Sequence, residues 1–286
     1  WQQVAVPHDW AISGPFDKKW DLQMVAIEQN GEKEKTEKSG RSGALPWIGE
    51  GMYKMNWTAP KGYKRAVLVF DGAMSQPVVT VNGKEAGKWA YGYNAFRIDI
   101  TPFIQFGKKN LIEVHLNNVE ESSRWYPGGG LYRPVSVELY GNENFSTWDT
   151  FVRTLKADKQ EAEVEVNALL EGKAGKSGKA VIALLDEAGK KVAEQIVTGA
   201  NPEIKTTLKV ANPQLWSPES PYLYQVKLTR YEGKKVADVQ TLKTGIRTIS
   251  VSKEYGFQLN GVTRKLKGVC LHHDLGPLGA AENKAA

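Results

Sequence analysis

A chain of 286 residues, 41% hydrophobic and 24% charged, has the length of about two average domains and the composition of a soluble globular protein. Its 38 Lys and Arg against 32 Asp and Glu leave a formal charge of +6 with no block of five like charges, so nucleic acid is not an expected partner. No apolar run approaches the ~20 residues of a membrane span, and the single cysteine, Cys270, excludes an intrachain disulfide and a thiolate metal cage.

The chain opens at Trp1 on a polar-apolar alternation with no signal-peptide pattern, and a cleaved signal upstream stays open; the expected compartment is periplasmic or secreted rather than cytoplasmic. Between Glu28 and Gly43 the pattern vanishes: four acidic and four basic residues fall across Glu28 to Arg41. Such a stretch cannot bury a face, and it reads as a solvated loop tip, with a lid over a neighbouring site as the alternative.

From Met52 to Tyr140, short runs of Val, Thr, Tyr, Phe and Trp are bounded by Gly, Asn, Asp or Pro, which is all-β punctuation. Tyr53, Met55 and Trp57 share one face of a strand, and Ala66 to Phe70 is a continuous buried strand. Pro77 to Val81, Asn82-Gly83 and Lys84-Glu85 form a hairpin whose Asn-Gly pair suits a type I′ turn. With Phe96 to Ile100, Leu111 to Leu116 and Pro134 to Tyr140, about eight strands make a sandwich.

From Phe145 to about Thr244 the strands lengthen and become rich in Lys and Glu: Glu161 to Leu170, Lys179 to Asp186, Lys191 to Thr198, Ile204 to Val210, Tyr222 to Tyr231 and Lys235 to Lys243. Their number and spacing suit an immunoglobulin-like sandwich lacking the Cys-Trp-Cys core of antibody domains. After Gly245, Phe257 to Cys270 reads as a hairpin through Asn260-Gly261 followed by a buried strand. The polar His272-His273-Asp274 comes next, and the last residues resemble the start of a helix.

No phosphate-binding loop and no nucleophile elbow is present, and Gly128-Gly129-Gly130 reads as a turn. His272, His273 and Asp274 are adjacent, whereas neighbours on a strand face opposite ways, so they cannot all bind one ion without a bend. No metal site and no cofactor is expected. An apolar strand ending in these polar residues is how a parallel barrel displays ligand contacts, the alternative being structural or solvent-exposed histidines. Trp47, Trp125 and Tyr126 are candidate stacking surfaces for sugar rings, with core packing the competing explanation for most of the nine Trp.

Taken together, Val6-Pro7-His8-Asp9-Trp10, Gly43 to Tyr53, Val81 to Lys84, Ser123 to Arg133 and Asn260-Gly261 leading into Gly268 to Gly276 resemble glycoside hydrolase family 2. That family holds β-galactosidases, β-glucuronidases and β-mannosidases. The resemblance implies an all-β architecture: a jelly-roll sugar-binding domain (1–144), an immunoglobulin-like β-sandwich (145–246), and the first strand of a truncated TIM barrel (247–286). It also implies a retaining exo-β-glycosidase using two glutamates, whose carboxyl groups such a mechanism holds ~5 Å apart. Both glutamates are expected beyond residue 286, so these residues alone are expected to be inactive, and the Asn142-Glu143 dipeptide receives no catalytic role. His272 matches a substrate-contacting histidine after the first barrel strand, with His273 and Asp274 flanking the same subsite. Arg124, with Trp125 beside it, stands where several members present an Asp to the sugar. A guanidinium cannot accept hydrogen bonds from hydroxyls, so Arg124 fits an acidic or decorated glycan.

The substrate is expected to be a carbohydrate, with β-galactosides first and β-glucuronides or β-mannosides as alternatives. A homo-oligomer stays open. A stand-alone carbohydrate-binding or structural pair of sandwiches is the alternative from another class, and the barrel-like segment Leu266 to Leu275 argues against it. Alone, such a strand leaves an apolar edge uncovered, so residues 245–286 are expected to be poorly anchored.

Overall fold

The computed structural model describes residues 1–21, 25–26, 35–36, 46–119, 126–172, 178–199, 201–270 and 275–286. These divide into two compact units, residues 1–139 with 270–286 and residues 140–269. Helical structure among them is confined to short 3-10 turns, and no helix is long and apolar enough to cross a membrane.

In the first unit, β1 (Val25–Ala26) and β2 (Lys35–Thr36) form a two-residue antiparallel ladder. Thus Lys35 and Thr36, inside the stretch expected to be a loop tip, are paired; most of that stretch lies outside the described residues. The sandwich follows as β3 (Glu50–Thr58), β4 (Arg65–Phe70), β5 (Val78–Val81), β6 (Lys84–Lys88), β7 (Phe96–Asp99), β8 (Lys109–Asn117) and β9 (Val135–Tyr140). One sheet runs β3-β8-β5-β6, the other β7-β4-β9.

Period-two alternation supplies the core. Asn110, Ile112, Val114 and Leu116 of β8 are buried while the residues between them are only half-covered. Ile112, Val114 and Leu116 meet Ala66, Leu68 and Phe70 of β4 and Phe96 and Ile98 of β7 across the sandwich. The Phe70 and Phe96 rings stack 4.5 Å apart. Each such side chain contributes about 1.5–3 kcal/mol through burial. The β5–β6 hairpin turns on Asn82 and Gly83, both at positive φ (51° and 78°), as a type I′ turn requires. A groove of about 1100 Å³ is lined by the amino-terminal segment, β3 and β9, including Val4, Trp10, Tyr53, Met55, Val137 and Leu139.

The second unit holds β10 (Glu143–Phe145), β11 (Phe151–Ala157), β12 (Glu161–Gly172), β13 (Lys179–Leu185), β14 (Lys191–Thr198), β15 (Glu203–Ala211), β16 (Tyr224–Glu232) and β17 (Lys235–Thr244). In one sheet β12 pairs with β10, β11 and β15, and the other runs β14-β13-β16-β17. Val164 and Val166, Ile182 and Leu184, Leu208, and Val226 and Leu228 fill the space between them. One pair of charges joins that interior: Arg230 Nε donates to Glu143 Oε2 at 2.8 Å, both side chains 2% exposed. A three-stranded sheet of β18 (Ile249–Ser252), β19 (Gly256–Leu259) and β20 (Val262–Thr263) follows, with Asn260 and Gly261 at positive φ in its tight turn.

The carboxy-terminal segment departs from the sequence expectation. No strand forms over residues 264–270, where Leu266 is 76% and Val269 95% exposed. A buried parallel strand needs hydrogen-bonded neighbours on both edges; apart from the Arg264 N–H, which donates to Phe257 O at 2.9 Å, no strand pairs with this segment among the described residues. The helix start expected at the end is a single 3-10 turn, Gly276–Leu278. Nor are the last residues loose: Ala280 is buried and packs with Met74 and Tyr132 of the first unit.

Candidate functional site

The loops at one end of the first sandwich converge on a single carboxylate. Asp9 is 2% exposed. Its Oδ1 accepts the backbone N–H of Ala11 at 3.0 Å, the two-residue reach natural to an aspartate in a turn. The same oxygen accepts the N–H of Gly129 at 3.1 Å. Oδ2 accepts the Tyr126 hydroxyl at 2.5 Å and the Ala280 N–H at 2.8 Å. Four donors occupy the lone-pair directions that two carboxylate oxygens offer. Burial raises the Asp9 pKa above its ordinary value, and the four hydrogen bonds, led by that of Tyr126, act against the rise.

The glycine tract lets the chains approach this closely. Gly128 and Gly130 have φ of 80° and 89°, where a side chain is strained, and a Cβ on Gly130 would run into the Tyr53 hydroxyl. Gly130 exchanges two backbone hydrogen bonds with Met74, at 2.9 and 3.0 Å. Next to it the His8 N–H donates to Leu131 O at 2.8 Å, and His8 Nδ1 lies 2.8 Å from the Tyr53 hydroxyl. Burial lowers the His8 pKa, with the nearby Asp9 charge opposing, so the ring is neutral at pH 7. Met74, Tyr132 and Ala280 pack together with Tyr93 and Tyr126 against them. Burial pushes the Tyr132 hydroxyl up to about 12; it donates to Gly92 O at 2.9 Å, and the Glu282 N–H donates to Tyr132 O at 2.8 Å.

Asn118 Nδ2 donates to Gly128 O at 2.8 Å. Asn118 Oδ1 and Trp10 Nε1, both buried, meet no hydrogen-bond partner among the described residues. With its oxygens committed, Asp9 is an anchor rather than a proton carrier. Among the described residues no three His, Cys, Asp or Glu side chains gather as a metal site.

Of the residues singled out from sequence, Arg124, Trp125, His272, His273 and Asp274 lie outside the described residues. Tyr126 is half-buried, with its hydroxyl on Asp9. Trp47 is a packing residue, its ring 6.1 Å from that of Trp10 and pressed against Gly14 and Gly49.

Residues 146–247 match the profile of the glycosyl hydrolases family 2. A crystal structure of a family 2 member from Bacteroides cellulosilyticus superposes with a TM-score of 0.86 at 35% identity, covering 99% of this chain and 36% of that one. Residues 146–247 thus form a glycoside hydrolase family 2 domain. The β-galactosidase BoGH2A of Bacteroides ovatus is 34% identical over 100% of this chain and 33% of its own length. A β-glucuronidase of Formosa agariphila is 27% identical over 94% of the chain and 29% of its own length. The chain spans about a quarter to a third of the length of the curated relatives it matches.

Sequence reasoning does not reach Asp9 as the meeting point of the loops. The segment Val6-Pro7-His8-Asp9-Trp10 carries the family resemblance without assigning Asp9 a role. The available signal was an aspartate able to close a turn onto Ala11; nothing local points to partners at Tyr126, Gly129 and Ala280.

Proposed function

We propose that this chain is the amino-terminal portion of a retaining exo-β-glycosidase that removes terminal β-linked sugars, with β-galactosides as the first substrate class. The catalytic glutamate pair is supplied by residues beyond 286. Arg124, Trp125, His272, His273 and Asp274 line the sugar subsite, and the segment from residue 247 leads into the catalytic barrel. The observation that supports this reading most is the likeness to family 2 members along the whole chain, through both sandwiches and the last residues. A pair of free-standing binding sandwiches has no use for that last segment.

A second substrate class, β-glucuronides, is favoured by Arg124, whose cation suits a uronate carboxylate, and by the relatives named β-glucuronidase. The test is turnover of 4-nitrophenyl β-galactoside, β-glucuronide and β-mannoside by the full-length protein. Galactoside ranking first by tenfold or more in kcat/KM supports the primary reading. Glucuronide ranking first transfers it to the second, and Arg124→Ala should then abolish that preference. No hydrolysis of any of the three refutes the glycosidase assignment.

A further inference from the structure

We propose that the three-stranded sheet of β18, β19 and β20 is a docking face, its apolar side covered by polypeptide of the same chain beyond residue 286; this rests on the reading above that residues 1–286 are the amino-terminal portion of a longer enzyme. The register assigns the two sides. Ile249 stands opposite Leu259 and Leu259 opposite Val262, with Val251 opposite Phe257 in the next row. Directly opposed residues project to the same side of a sheet. Ser250, Gln258 and Thr263 therefore share the other side, where they form a hydrogen-bonded row. Ser250 Oγ donates to Gln258 Oε1 and Gln258 Nε2 to Thr263 Oγ1, each at 3.3 Å. The polar side thus satisfies its own groups, and Ser250 and Thr263 on it are exposed. The apolar side is open as well: Ile249 is 57%, Val251 76% and Val262 56% exposed. That exposure continues into the segment leaving β20, at Leu266 and Val269. A three-stranded antiparallel sheet holds its shape in water when its apolar face is packed, and among the described residues nothing packs on this one.

The size of the face selects the kind of cover. Three strands about 4.8 Å apart, four residues long at about 3.3 Å each, present roughly 200 Å². Two copies meeting there would bury about 400 Å², well below the ~1,200 Å² at which specific association begins. A segment of the same polypeptide has no such threshold to reach, because its tether replaces the cost of association with a high effective concentration. The family relatives leave ample length for it, since the chain matches only about a quarter to a third of theirs.

The experiment uses the full-length protein with single cysteines introduced by Val251→Cys and Val262→Cys on the apolar side and by Ser250→Cys on the polar side. Each is labelled with N-ethylmaleimide, and the label is located by peptide mass spectrometry. Protection is the labelling rate in urea divided by that in the native protein. Expected is at least tenfold protection at Val251→Cys and Val262→Cys and less than threefold at Ser250→Cys, unchanged on hundredfold dilution. If Val251→Cys does not fold, Val262→Cys decides on the same threshold. Protection below tenfold at the apolar positions overturns the docking, as does equal protection at all three. Protection that dilution abolishes assigns the cover to a second copy and overturns the proposal too. A protein that fails this test yet hydrolyses a β-glycoside leaves the glycosidase reading intact, whereas protection without hydrolysis of any β-glycoside strikes that reading alone.

Discussion

Glu143 sits in an Asn-Glu dipeptide of the kind that carries the acid/base in glycosidases of this family, yet its carboxylate lies inside the second unit against Arg230. Glu143→Gln keeps the shape and removes the charge, leaving a guanidinium buried without a counter-ion. Removing one partner of a buried pair costs about 3–5 kcal/mol. For a unit the size of residues 140–269, at roughly 3–4 °C per kcal/mol, that is a Tm loss of about 10–20 °C. Replacing both partners, Glu143→Leu with Arg230→Met, removes the desolvation penalty along with the attraction and should leave Tm near or above the wild type. Differential scanning calorimetry of the wild type, Glu143→Leu, Arg230→Met and the double replacement closes the cycle, with Glu143→Gln melted beside them. A Glu143→Gln protein melting within 3 °C of the wild type would refute the view that this pair compensates a buried charge, as would a double replacement less stable than the single one.

Leu208→Ala should destabilise the second unit by about 2–5 kcal/mol in urea titration, since Leu208 is fully buried, whereas Ile196→Ala, at a position 55% exposed, should stay within about 0.5 kcal/mol. Gly130→Ala places a side chain at φ 89° against Tyr53 and should cost well over the ~1 kcal/mol expected of Gly189→Ala, whose φ of 80° opens on empty space; thermal melts compare them. The raised Asp9 pKa means that folding favours its protonated form. That contribution is fully present below the unfolded value of 3.8 and is lost as pH rises through the folded value. The Tm advantage of wild type over Asp9→Asn should therefore shrink as pH is raised across that window, and an advantage that grows would contradict the sign.

Strand existence and the hairpins were legible because both rest on local rules. Period-two alternation marks β8 and β12, and Asn-Gly pairs mark the turns at Asn82 and Asn260, where the backbone takes the positive φ that those residues tolerate. β10 and β11 escaped. β10 is three residues long, too short to show a period, and in β11 the exposed Phe151 and Leu155 mask the inward-facing Val152 and Ala157. Leu266 to Cys270 failed in the opposite way: its apolar residues announce a strand, but pattern reports a preference and not the presence of neighbours to pair with. At the candidate site the glycine tract reads as a turn but forms a bridge to Met74 through Gly130, and the Asp9 anchor could not be read, because three of its four donors are more than a hundred residues away.

The first unit is interrupted. Residues 140–269 are spelled out between its two parts, so Asp9 and Ala280 are made at opposite ends of a long interval of synthesis. At ~5–20 residues per second, a nascent chain waits on the order of 15–50 s between the aspartate and its last donor. Until then the Tyr126 and Gly129 donors can be engaged while Oδ2 still lacks its amide, and the loop end of the sandwich stays open to water. The final latch can close only after the whole second sandwich has been translated, which makes closure of the first unit a late event, conditional on everything between its two parts having been completed.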